Sequence, residues 1–151
     1  MNKEEYERKK HWLEQYGQVL KECVMLEAKI RECREEQIAI SIKYDGMPHG
    51  SSSKTDLSDY IAKLDELMSK YLRAKTKAAG IKSDIEERIS NIESADQRVL
   101  LRLRYMDLIY SPRSNRYYKR SWESICREMG YQEAQIYRIH RKALQRIDVE
   151  G

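Results

Sequence analysis

From Trp12 onward, apolar or near-apolar residues recur at alternating steps of four and three: Trp12, Tyr16, Val19, Cys23, Leu26, Ile30, Cys33, Gln37, Ile40 and Tyr44. Gln37 is the one strongly polar member. A stripe of this period is the seam of a long helix packed on another helix, and it predicts a helix over about residues 3–43. The pattern stops between Asp45 and Asp56, where Asp-Gly-Met-Pro-His-Gly-Ser-Ser-Ser-Lys-Thr-Asp collects turn-forming residues and reads as a loop over 45–56. It restarts at Leu57, Tyr60, Leu64, Leu67, Tyr71, Ala74, Ala78, Ile81 and Ile85, with Ile89 and Ile92 closing the stripe. This predicts a second helix over about 57–93. Two helices of similar length joined by a short loop suggest an antiparallel hairpin. The same seams would serve equally for pairing between chains, as a coiled-coil homodimer. Gly80 interrupts the second helix and is a candidate bend.

Ser94-Ala-Asp-Gln97 fits the capping box Ser-x-x-Gln, so a new helix is expected from Ala95 to about residue 109. The division that follows is a helical hairpin at 1–93 and a separate domain at 94–151. Within the latter, residues 111–120 read Ser-Pro-Arg-Ser-Asn-Arg-Tyr-Tyr-Lys-Arg and lack helical periodicity. Arg113, Arg116, Lys119 and Arg120 interleave with Tyr117 and Tyr118 there, a composition suited to a phosphate backbone and equally to a solvated basic loop.

The remaining segment predicts helices near 121–129 and 132–147 around a turn at Gly130, the layout of a helix-turn-helix. Trp122, Ile125 and Met129 form an inward stripe on the first helix; Ile136, Ile139, Ala143 and Ile147 repeat it on the second. Gly130 stands where a left-handed residue ends a helix. The opposite face of the second helix carries Ala134, Arg138, Arg141 and Gln145, flanked by Gln135, Tyr137 and Lys142. That face is basic and rich in hydrogen-bond donors, as a helix entering the DNA major groove requires. An ordinary helical hairpin with a solvated charged face is the plainer alternative. The fold class expected overall is all-α, with no substantial sheet.

Two blocks carry a resemblance. Ile136-Tyr-Arg-Ile-His-Arg-Lys-Ala-Leu-Gln-Arg-Ile147 resembles the end of region four of primary sigma factors, and Gln97-Arg-Val-Leu-Leu-Arg-Leu-Arg-Tyr105 is similar to the helix opening the same domain. The resemblance covers about residues 94–147. Coupled to an unrelated helical front half, it makes the whole chain look like phage-encoded transcription regulators of the ArpU and RinA kind. It implies that the base-reading positions fall on Glu133, Ala134, Tyr137 and Arg138. In sigma factors the turn is followed by Ser or Thr and then Arg-Glu-Arg, whereas this chain has Gln132, Glu133, Ala134 and Gln135. The different chemistry implies a target other than the usual promoter element. Residues 111–120 exceed the sigma-like connection and count as an insertion.

Composition narrows the alternatives. The 151 residues include only two prolines and six glycines, no phenylalanine and 36% charged side chains, which favours long helices. No apolar run reaches the about 20 residues of a membrane span, and the first residues lack the apolar stretch of a signal peptide. A cytoplasmic location in a bacterial host is therefore expected. The net charge is +4, but residues 98–146 hold 12 basic against 4 acidic side chains, or +8. A basic surplus coinciding with the motif is the footprint of a DNA contact.

His11, His49 and His140 are far apart in sequence, and Cys23, Cys33 and Cys126 have neither zinc-site nor disulfide spacing. No phosphate loop or nucleophile motif is present. Neither a cofactor, a metal nor an enzymatic activity is expected. His140, bordering the inner face of its helix, is read as a packing residue or phosphate contact. The expected function is sequence-specific DNA binding in transcription regulation, with double-stranded DNA as partner and RNA polymerase as a further candidate. The alternatives are a DNA-packaging component like a small terminase subunit, or an adaptor that binds polymerase without reading bases.

Overall fold

The computed structural model describes residues 1–44 and 52–150, and among these it is mostly helical. In chain order the elements are α1 (Lys3–Leu13), α2 (Gln15–Tyr44), α3 (Ser52–Ser90), α4 (Ala95–Leu101), a π-helical turn (Arg102–Met106), β1 (Ile109–Ser111), β2 (Arg116–Tyr118), α5 (Trp122–Met129) and α6 (Glu133–Arg146). The all-α class expected from the periodicity is what the chain adopts, apart from one two-stranded ribbon.

Two compact units result: Met1–Lys21 with Lys77–Gly151, and Glu22–Thr76. These boundaries differ from the expected division at residues 93 and 94. The first 21 residues group with the C-terminal part of the chain. The reason is visible in the burial of α1. Leu13 is fully buried, in one cluster with Leu100, Leu101, Ile125, Ile136, Leu144 and Ile147. Lys9, itself buried, donates from Nζ to the carbonyl of Gln145 at 3.3 Å, near the end of α6, where backbone acceptors lack helical partners. Tyr6 and Trp12 pack against the same cluster. From the first-turn side, Asn2 caps α1 through Oδ1, which accepts from the Glu5 amide at 2.8 Å.

The expected continuous helix 3–43 is instead broken at Glu14. Its amide donates to both the Lys10 and His11 carbonyls, at 3.1 and 3.2 Å, tightening the last turn of α1 before α2 begins.

In the other unit, α2 and α3 pair antiparallel within one chain. Tyr71 donates from its hydroxyl to Glu27 Oε1 at 2.7 Å, and Lys63 lies 4.0 Å from Glu36. The thiol of Cys33 points to the carbonyl of Tyr60 at 3.9 Å. Of the stripe positions, Cys23, Ile30, Cys33 and Ala74 are buried there, as is Val24 beside the stripe. Over this stretch the two stripes meet within the chain. Helix α3 starts at Ser52, five residues before the expected 57, and passes through Gly80 without interruption; the rest of the expected loop, residues 45–51, lies outside the described residues.

Ser94 caps α4 as the sequence predicts, accepting from the Gln97 amide at 3.4 Å. The helix expected to reach 109 ends sooner. Asp107 donates its amide to the Arg102 carbonyl at 2.8 Å, an i→i+5 bond that widens the backbone. The wider turn changes the phase of the side chains, and Leu103, Tyr105 and Met106 all become buried. The insertion then forms the ribbon, with Ile109 opposite Tyr118, Tyr110 opposite Tyr117 and Ser111 opposite Arg116. Asn115 takes the left-handed conformation in its turn (φ 52°), where asparagine is among the better-tolerated residues.

Candidate nucleic-acid interface

Helix α5 starts at a cap supplied by Ser121, whose Oγ accepts from the Ser124 amide at 3.1 Å. It ends at Gly130 (φ 75°), where the amides of Gly130 and Tyr131 both donate to the Cys126 carbonyl at 2.9 and 3.2 Å. This is the left-handed termination the sequence predicts, and it turns the chain within three residues into α6. Tyr131 pins the turn by donating to Asp96 Oδ2 at 2.6 Å. Gln132 precedes α6 without a side-chain capping bond, in keeping with its weak capping ability.

One side of α6 is closed. Ile136, His140, Ala143 and Leu144 are buried, and Ile147 continues the line beyond the helix. The other side is open: Glu133, Ala134, Gln135, Tyr137, Arg138, Arg141 and Lys142 are all exposed. The structure therefore brings these seven sequence-predicted residues onto one helix surface. Three of their side chains are already engaged locally. Tyr137 donates to Glu133 Oε1 at 2.9 Å, and its ring meets Trp122 edge-on at 5.3 Å. Arg138 Nε donates back to the Ala134 carbonyl at 3.4 Å, one turn earlier.

The insertion cations separate into two kinds. Arg113 and Arg116 are exposed on the ribbon. Lys119 instead holds Glu14 Oε1 at 2.8 Å. Arg120 is part-buried near Glu128 at 3.6 Å, and its carbonyl accepts from Arg104 at 2.6 Å. The latter pair contributes to holding the unit together, which the sequence reading did not anticipate.

Beneath α6 sits a polar cluster. His140 Nε2 lies 2.8 Å from the Tyr105 hydroxyl and Nδ1 lies 3.4 Å from that of Tyr6. Trp122 covers the imidazole edge-on at 4.9 Å. Of the two expected roles for His140, packing is the one its 2% exposure permits. Burial, reinforced by the positive charges of Arg104, Lys10 and Lys119, pushes its pKa down to about 4. Burial likewise raises the Tyr105 hydroxyl, which stays protonated. Arg104 lies over the Trp122 ring at 4.3 Å, a cation–π contact. Its position inside the sigma-like block was visible; that it would face an aromatic from α5 was not.

Among the described residues, no group of three or more His, Cys, Asp or Glu side chains is placed to hold a metal ion, and no helix is long and apolar enough to cross a membrane. Comparison with protein-family models, with curated proteins and with solved structures finds no match for this chain.

Proposed function

We propose that this chain is a sequence-specific DNA-binding transcription regulator of phage or prophage genes, of the ArpU and RinA kind, which lays α6 in the major groove. The observation that supports it is the two-sidedness of α6 behind a capped, glycine-ended α5: apolar residues buried on one side, Gln135, Arg138, Arg141 and Lys142 exposed on the other. The unit holding α6 carries 20 basic and 15 acidic residues, or +5, against 9 and 10, or −1, for Glu22–Thr76. A positive surplus on the motif-bearing unit favours a polyanionic partner.

In this reading Arg138 reads a guanine through O6 and N7, Gln135 an adenine, and Arg141 and Lys142 hold phosphates. Arg113 and Arg116 on the ribbon add backbone contacts. Glu133 would repel phosphate and is better suited to a base donor such as cytosine N4.

The test begins with selection of bound fragments from genomic DNA, followed by affinity measurements across a panel of variant sites. Affinity should fall steeply between about 50 and 200 mM salt. Arg138→Ala should relax preference at one or two base pairs, a loss of roughly 1–3 kcal/mol there, whereas Arg141→Ala should weaken every sequence alike. Absence of any salt-dependent DNA affinity, with retention of purified RNA polymerase on the immobilised protein, would replace base reading with polymerase docking.

A further inference from the structure

A cleft away from the α6 surface combines charge with aromatic rings. The start of α2, the π-helical turn and the ribbon enclose a cleft of about 380 Å³ within the first unit. That volume falls in the range of small-molecule pockets, about 300–1,000 Å³. Four cationic residues line it, Lys21, Arg104, Arg116 and Lys119, against a single carboxylate, Glu14. The carboxylate is already taken up by Lys119 at 2.8 Å. Three positive charges therefore remain without a carboxylate in the cleft wall.

Arg104 is held in place from behind: one of its terminal nitrogens donates to the Arg120 carbonyl at 2.6 Å, and its guanidinium lies over the Trp122 ring at 4.3 Å. Tyr117 and Tyr118 form part of the wall, so flat surfaces accompany the charge. At Gly17 the approach is close; a Cβ there would lie 3.4 Å from Leu108 Cδ1.

We propose that this cleft binds a small phosphate-bearing ligand with a flat ring, of the nucleoside phosphate class. The phosphate sits among Lys21, Arg104 and Arg116, and the ring packs against the tyrosine wall. A concave pocket of this size suits a free nucleotide better than the convex backbone of a duplex. The site does not depend on DNA reading by α6, and either can fail without the other. If it holds, Arg116 belongs to ligand binding and leaves the set of DNA contacts.

The test follows backbone amide signals of the full-length protein by NMR. Pyrophosphate, adenosine monophosphate and a DNA duplex of about two helical turns are titrated separately. Saturable shifts at Gln18, Lys21 and Tyr117 with the mononucleotide, weakened roughly tenfold or more by Lys21→Ala with Arg116→Ala, are the expected result. Both substituted side chains are exposed, so the fold should persist. Pyrophosphate alone matching the mononucleotide would keep the phosphate site and remove the ring from it. Shifts at these residues with duplex only would show that the anion is a DNA backbone phosphate, overturning the free-ligand assignment. No shift with any probe, or shifts unchanged in the double variant, would overturn the site itself.

Discussion

The two compact units bury different things. In Met1–Lys21 with Lys77–Gly151 the core is made of large aliphatic side chains with essentially no exposure: Leu13, Ile85, Ile89, Leu100, Leu101, Ile125, Ile136, Leu144 and Ile147. Among the described residues of Glu22–Thr76 none of that size is fully buried. Its interior is Cys23, Val24, Ile30, Cys33 and Ala74, while Met25 (61%), Ile38 (60%) and Leu72 (61%) face outward. Burial free energy scales with apolar area removed from water, so the first unit should carry most of the stability. Under the proposed function the first unit has to present α6 at a fixed orientation, and a core of this kind would hold it there. The hairpin is held by a regular seam and tolerates looser packing.

The sharpest way to break this comparison is truncation of one residue from each core. Leu144→Ala should cost about 2–5 kcal/mol, as expected for a fully buried leucine. Leu13→Ala should fall in the same range, although Leu13 precedes the rest of its core by more than seventy residues. Cys33→Ala in the hairpin should cost only about 1 kcal/mol, since a buried thiol is a small hydrophobe. Both tryptophans, Trp12 and Trp122, lie in the first unit, so urea denaturation followed by their fluorescence reads the leucine variants, and hydrogen exchange of the α2 amides reads Cys33→Ala. A cost for Leu13→Ala below that of Cys33→Ala would detach α1 from the core. Hydrogen exchange should sharpen the same contrast, with amides of α2 between 22 and 42 opening at lower free energy than those of α4 and α6.

The second expected effect is a pH dependence confined to the first unit. His140 is held near pKa 4 when folded, against about 6.5 in an unfolded chain. Because the folded value is depressed, the folded state favours the neutral ring. Its stability contribution is complete above pH 6.5. Below that the unfolded chain takes up a proton that the folded one refuses, and stability falls until pH reaches about 4. The loss over this window should approach roughly 3 kcal/mol at 1.36 kcal/mol per unit. Denaturation midpoints of the wild type and His140→Gln at pH 7.0, 5.5 and 4.5 check it (probe values running from above the unfolded pKa to just above the folded one). The variant starts less stable, having lost the Tyr105 partner, but its profile should be flatter. Parallel profiles would mean that His140 is not the source.

The distribution of what could be read in advance follows from the range of each interaction. The Ser94 cap and the Gly130 turn are local, and each stands where the sequence puts it. The exposed face of α6 follows from helical geometry alone. The docking of α1 depends on contacts across the length of the chain, and no short pattern encodes them. The π-helical turn was equally hidden, because Arg102–Met106 has ordinary helix-forming composition. The ribbon did leave a signal. Ile109-Tyr110 and Tyr117-Tyr118 are strand-forming residues flanking Pro-Arg-Ser-Asn, a turn composition. Its basic content drew the reading toward phosphate contact and away from strand pairing. The carboxylate partners of Lys119 and Arg120 left no signal of their own: a cation paired with a carboxylate looks the same in sequence as one facing solvent.

Small effects are expected at two glycines, and they should have opposite signs. Gly80 lies inside α3 with nothing within 4 Å of the position a Cβ would take. Gly80→Ala therefore meets no obstacle and removes the entropic cost of glycine in a helix, stabilising by about 0.5–1 kcal/mol. Gly130 also has open space around the added Cβ, but its φ of 75° is one an L side chain enters at a cost of roughly 1–2 kcal/mol. Gly130→Ala should thus destabilise although it clashes with nothing. The same added methyl separates the two kinds of structure in this chain, a long helix that welcomes it and a turn whose backbone geometry sets the entry to α6. Denaturation of both variants, followed as above, measures the difference. A stabilising Gly130→Ala would mean that the turn can relax to a right-handed conformation without moving α6, and would remove the argument that Gly130 fixes the motif.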